Sequence, residues 1–302
     1  MKHTLLILSF LLLAATSYAE QPDPAPLRTS VQTLERSGGK GVWFNSVLQP
    51  PFGNSAASFY VLTQVPTAVD PTSFEILWRS QAGLNLLRGY ISEGIPIIFA
   101  PFSRQSQIQA AAINQAQFTV IADGIRAFGN GSAENALLLG PNTNVLSLIH
   151  EVRHWKDREN KPFMKDLEKS LRDFLASEGL TDTYAGIQGV TGYLIRVVLE
   201  QRGHFASYRS ALKYAEAKVP FVNRAGELTT DPVEVEAGYQ FEASEAEKDF
   251  TTGYQPWLFA IFTPLKMDQR LRLVKLLESF TSDESKETGL GFSSQLRVLT
   301  RP

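Results

Sequence analysis

The chain contains no cysteine. This excludes a disulfide framework, a thiol nucleophile and a lipid-modified cysteine at an N-terminal cleavage site. A charge excess is missing too, with a formal net charge of −2 over 302 residues. Phosphate-binding surfaces need a basic surplus, so no nucleic-acid partner is expected. There is no glycine-rich phosphate loop and no serine in a G-x-S-x-G turn. Beyond the first 19 residues, no apolar run reaches the roughly 18 to 20 residues of a membrane span. Histidine is scarce, with 4 in all.

Apolar residues are plentiful. They make up 43% of the chain and include 19 Phe and 4 Trp, which is ample for a packed core without covalent staples. Residues 1–19, "MKHTLLILSFLLLAATSYA", open with Lys2 and His3, run apolar from Leu5 to Ala15, and close on small residues at Ser17 and Ala19. That layout predicts a secretory signal peptide cut after Ala19 and an exported protein, periplasmic or secreted. The apolar run is short for a membrane anchor. Residues 20–302 show no repeat and no sharp composition break, so a single domain is expected.

Periodicity predicts a short helix over 27–37 and two strands, "GVWFNSVL" and "SFYVLTQV". A helix over 71–94 follows, with Phe74, Leu77, Leu84, Leu87 and Ile91 on one face and Gly94 as its stop. "IPIIFAPF", "FTVIA" and "ALLLG" read as further strands, and 104–117 as helix or loop. From residue 144 the chain turns helical, at about 144–157, 161–178, 184–218, 231–248 and 265–280, before a polar tail at 282–302. A small mixed sheet followed by a mainly helical C-terminal half is an α+β arrangement.

The stretch "LIHEVRHWKD", residues 148–157, carries the chemistry. On a helix, Val145, Leu148, Ile149 and Val152 form one apolar face. His150 and His154 stand one turn apart on roughly the opposite side, so both imidazoles can reach one ion at about 2.0–2.1 Å. Glu151 cannot share that ligand pair. It can reach a water beside the ion, take its proton and pass the proton to a leaving amine.

This stretch resembles the active-site helix of the zincin metallopeptidases, with His150, Glu151 and His154 in the H-E-x-x-H pattern. The resemblance rests on that helix, the apolar strands before it and the helices after it, at about 95–248. It implies a zincin-like core, a single zinc ion, peptide-bond hydrolysis and a substrate strand along a sheet edge. "FTVIADG" and "ALLLGPN" are both candidates for that edge. Protein, peptide and cell-wall peptide substrates are all compatible. The alternative is a zinc-binding or peptide-binding protein of the cell envelope without catalysis.

The third ligand divides the zincins. Asp157 and Asn160 stand where the metzincin pattern needs Gly and His, and no thermolysin-like "NExxSD" follows. "GLTDTYAG" has a faint likeness to the aspzincin motif and would nominate Asp182. What remains is a glutamate on a later helix, the gluzincin arrangement. Glu200 has apolar company in Leu194, Val197, Val198 and Phe205, and Gly203 would let its helix approach the HEVRH helix closely. Glu236 follows a helix start marked by Asp231, Pro232 and Glu234, and is directly followed by Ala237. Glu200 is favoured for its apolar setting and shorter chain distance, with Glu236 as the alternative. His204, one turn after Glu200, is a candidate for substrate or oxyanion contact, as are Tyr193 and Tyr239. Asp157 would either orient a ligand histidine or stand in solvent.

Overall fold

The structure, a computed structural model, describes residues 24–48, 55–70, 73, 76–95, 97–99, 137–139, 143–184, 187–223 and 225–281. The signal peptide expected at 1–19, the stretch 104–117, the strand and candidate edge at 118–124 and the tail at 282–302 lie outside the described residues. Two compact units emerge, one drawn from Met1–Asn144 with Val222–Leu228 and the other from Val145–Phe221 with Thr229–Pro302.

In the first unit, α1 (Pro24–Arg36) precedes β1 (Lys40–Leu48) and β2 (Ser55–Gln64). These strands pair antiparallel, from Lys40 opposite Gln64 to Leu48 opposite Ser55. β3 (Ile97–Phe99) pairs antiparallel with β2, and β4 (Leu137–Leu139) runs parallel to β3. The sheet is therefore mixed, in the order β1-β2-β3-β4. The helix expected over 71–94 is broken into a 3-10 turn, Ile76–Arg79, and α2 (Gln81–Ser92). Ser80 between them is extended, and its hydroxyl accepts a hydrogen bond from the Gly83 N–H, which caps α2. A side chain at Gly83 would stand 2.7 Å from the Leu77 carbonyl oxygen, so this close fold-back needs glycine. Arg79 donates to the carbonyl oxygens of Ser73 and Gly226, which ties the segment Val222–Leu228 to this unit.

The second unit is mainly helical: α3 (Val145–Glu159), α4 (Lys161–Ser177), α5 (Val190–Glu216), α6 (Pro232–Phe262) and α7 (Met267–Ser279). A short hairpin, Thr183–Tyr184 with Ile187–Gln188, occupies the start of the helix expected from 184. α5 is the central element and packs on α3, α4 and α6. Leu171, Leu194, Val198, Phe250, Phe262 and Leu277 belong to one buried cluster, contributed by α4 through α7. Leu146, Ala211, Phe221, Val235 and Tyr239 belong to another. Asp231 caps α6 through the N–H groups of Val233 and Glu234, with Pro232 in the first turn. The carboxylate of Glu234 accepts from the Thr229 hydroxyl at 2.6 Å.

The fold class is α+β, a strand-bearing unit and a helical one. Among the described residues, no helix is long and apolar enough to cross a membrane.

Candidate metal centre

The apolar face of α3 is buried as its spacing dictates: Val145, Leu148 and Val152 are inaccessible or nearly so. His150 and His154 lie on another face, yet their side chains are only 14% and 9% exposed. The reason is α5. Gly203 gives this helix no side chain where it passes His150, and a Cβ there would stand 2.9 Å from the imidazole Cε1. The buried Ser207 hydroxyl, one turn on, donates to the Leu146 carbonyl at 2.8 Å and fixes the same approach.

Close approach brings Glu200 onto the histidine pair. Its Oε2 lies 3.2 Å from His150 Nε2 and 3.4 Å from His154 Nε2, while the two Nε2 atoms are 2.8 Å apart. Tetrahedral N and O ligands at 2.0–2.1 Å from one ion are separated by about 3.3 Å. The three donor atoms thus bracket the spacing of a shared metal ion. His154 Nδ1 is buried with no partner among the described residues. His204 stands close by, with Nε2 3.9 Å from the same Glu200 oxygen and its ring edge-on to His150 at 4.6 Å. Among the described residues, His150, Glu200 and His204 offer ligand atoms within 4.8 Å of one another and form a group that could hold a metal ion.

Burial opposes charge on Glu200, but hydrogen bonds from His150 and His154, with their charges, hold its carboxyl well below the usual carboxylate range. Burial also opposes protonation of His150. The Glu200 hydrogen bond and the charges of Glu151, Glu200 and Asp249 nevertheless raise its pKa. For His204 the balance goes the other way: burial, then the charge of His150, push it down to about 3 against the opposing charge of Glu200. Glu151 is part-buried, and its charge is felt at His150 and at Arg158.

Two neighbours escaped the sequence reading. Arg196 Nε lies 3.8 Å from Glu200 Oε1, one turn earlier on α5. Tyr254 of α6 stands beside them, with the Arg196 guanidinium 5.8 Å from its ring centre, and burial, then the Glu200 charge, push its hydroxyl pKa up. The i, i+4 relation of Arg196 to Glu200 was visible in the chain. Tyr254 had no local signal, because the packing of α6 on α5 places it.

The other sequence candidates fall elsewhere. Glu236 is about half exposed, pairs with Lys218 at 2.9 Å and accepts from Gln240, so the alternative third ligand is a surface carboxylate. Asp182 is exposed and accepts the Thr191 N–H at 2.8 Å, at the start of α5. Tyr239 is buried and donates to the Pro220 carbonyl. Tyr193 packs against the cluster around Leu194. Asp157 neither stands in solvent nor meets a histidine nitrogen. Arg202 grips both its oxygens, at 2.7 and 2.9 Å, and Arg153 adds a bond at 3.1 Å.

Comparison with protein-family models, with curated proteins and with solved structures finds no match.

Proposed function

We propose that the chain is an exported, zinc-dependent metallopeptidase with a zincin-like, gluzincin-type centre. The observation that carries this reading is the convergence of His150 Nε2, His154 Nε2 and Glu200 Oε2 at mutual distances of 2.8 to 3.4 Å. These three side chains would hold the ion. Zinc in such a setting supplies Lewis acidity and brings the pKa of water toward about 7. Glu151 is the general base: it takes a proton from the attacking water and returns it to the departing amine. His204, neutral and buried beside the ligand group, would donate to a developing oxyanion. Substrates are peptides, proteins or the peptide part of cell wall.

A second reading is favoured by the position of His204. His204 shares a possible ligand group with His150 and Glu200; if it joined His150, His154 and Glu200, four side chains would surround the ion and leave no place for water. The protein would then be a metal-binding, non-catalytic component of the cell envelope. Zinc analysis of the purified chain, with peptide-library cleavage before and after chelation and zinc readdition, separates the two. The peptidase reading expects one zinc per chain and cleavage that is lost and restored with it. Stoichiometric zinc without any cleavage favours the closed site.

A further inference from the structure

α3 and α5 meet antiparallel, and their facing residues advance along both helices together. The Ser207 hydroxyl meets the Leu146 carbonyl, Gly203 lies on His150, and Glu200 spans His150 and His154. One further step along both helices pairs Arg196 with Arg158. Each stands four residues from a ligand candidate, Arg196 before Glu200 and Arg158 after His154, and so shares its face of the helix. The register therefore continues the row of donor atoms into a pair of guanidinium groups.

The two cations feel each other. Burial pulls the Arg158 pKa down, Glu151 and Glu200 work against this, and the charge of Arg196 adds to the fall. Arg196 Nε lies 3.8 Å from Glu200 Oε1, and its guanidinium stands over the Tyr254 ring at 5.8 Å. Its side chain is 23% exposed and Arg158 is part-buried, so both can be reached by a solute. A divalent ion on Glu200 would add positive charge and engage the carboxylate that offsets Arg196. An anion that bridges the two guanidinium groups relieves the repulsion. Each guanidinium is a planar fork of N–H donors that matches a carboxylate. One helical turn, about 5.4 Å, separates the arginine positions from those of the ligand candidates. An extended peptide covers about 3.3–3.6 Å per residue, so a carboxylate on the arginines belongs one or two residues from a peptide bond at the metal.

We propose that Arg158 and Arg196 together bind a carboxylate of the substrate, a free C-terminus or an acidic side chain, one or two residues from the bond that is cut. The peptide context rests on the metallopeptidase reading, whereas capture of a carboxylate by the arginine pair does not. The test uses the mature chain with zinc and two probes without a peptide bond, 3-phenylpropionate and 3-phenylpropionamide, which differ only in the charged end. The Nε–H resonances of Arg158 and Arg196, assigned through their own side chains in ¹³C,¹⁵N-labelled wild type, should shift saturably with the acid and not with the amide. In calorimetry the acid should bind about tenfold more tightly or better. Arg158→Gln and Arg196→Gln should each lose that preference with zinc content retained. A peptide library then separates the two sources of carboxylate. Cleavage that needs a free C-terminus identifies the terminus, and cleavage near Asp or Glu in amidated peptides identifies the side chain. Cleavage indifferent to both overturns the proposal. Carboxylate capture without any peptide cleavage would leave the arginine pair standing and overturn the peptidase reading. Equal binding of the two probes, or arginine resonances unmoved by the acid, would overturn the proposal on the wild type alone, even if a variant does not fold. A preference that survives both substitutions would place the carboxylate on the metal and overturn it as well.

Discussion

Gly203 lies flush against the His150 imidazole: a Cβ at this position would stand 2.9 Å from Cε1 and 3.0 Å from each ring nitrogen. Glycine in a helix interior is ordinarily destabilising relative to alanine by roughly 0.5–1 kcal/mol, so its presence here trades local stability for a close helix–helix approach. Gly203→Ala is expected to keep the fold, since helix propensity offsets part of the crowding. The imidazole must turn away from His154 and Glu200, and zinc affinity should fall by about 10- to 100-fold, as for other disturbances of ligand orientation. Competitive chelator titration measures this. Unchanged affinity would mean that the ring position does not matter.

Glu200 and Glu236 make opposite predictions. Glu200→Gln removes the only carboxylate seen within 3.4 Å of both His150 and His154 among the described residues, and should abolish stoichiometric zinc. Glu236→Gln removes a half-exposed surface pair with Lys218, which should cost at most about 1 kcal/mol and leave zinc content intact. Metal analysis of the two variants side by side checks both.

Arg202 is a latch beside the centre. Its guanidinium holds both Asp157 oxygens, donates to the Phe280 carbonyl at 2.8 Å and lies 4.6 Å over the Phe163 ring. The Asp157 side chain is 5% exposed and that of Arg202 14%, so losing Arg202 leaves a buried carboxylate with only the Arg153 bond at 3.1 Å. Arg202→Met should destabilise the zinc-free protein, by less than the roughly 3–5 kcal/mol of a wholly unpaired buried charge because Arg153 remains, in denaturant unfolding. The double variant Arg202→Met with Asp157→Leu should recover most of that loss. A double variant no better than the single one would show that the loss comes from packing.

Much of this centre was legible in the chain because its geometry is local to two helices. The i, i+4 spacing of His150 and His154, the apolar setting of Glu200 and the gap at Gly203 are all properties of single helices. What was hidden depends on packing between elements. Asp157 was expected to be either solvated or bonded to a histidine, and instead meets Arg202, whose position is set by the docking of α5 on α3. The break at Ser80 was masked by unbroken helical spacing, since the cap needs the fold-back at Gly83 to be recognised. α6 continues to Phe262, well past the expected end near 248, although Thr251, Thr252 and Gly253 are poor helix formers. Burial of Phe250, Leu258, Ile261 and Phe262 in the helical core overrides that weak local preference.

The proposed export predicts a defined N-terminus. Material recovered outside the cytoplasm should begin near Glu20 by mass spectrometry, because Ser17 and Ala19 stand at the positions a signal peptidase reads. Exported protein that retains residues 1–19 would instead favour a membrane anchor.

The central claim is that Glu151 acts as a base beside a metal it does not ligate. Zinc content and peptide-library cleavage, measured together on wild type and Glu151→Gln, test it most directly. The account predicts one zinc per chain in both proteins and a loss of cleavage rate in the variant of about 100-fold or more. Equal cleavage by the two proteins, or a Glu151→Gln protein that no longer holds zinc, would contradict it.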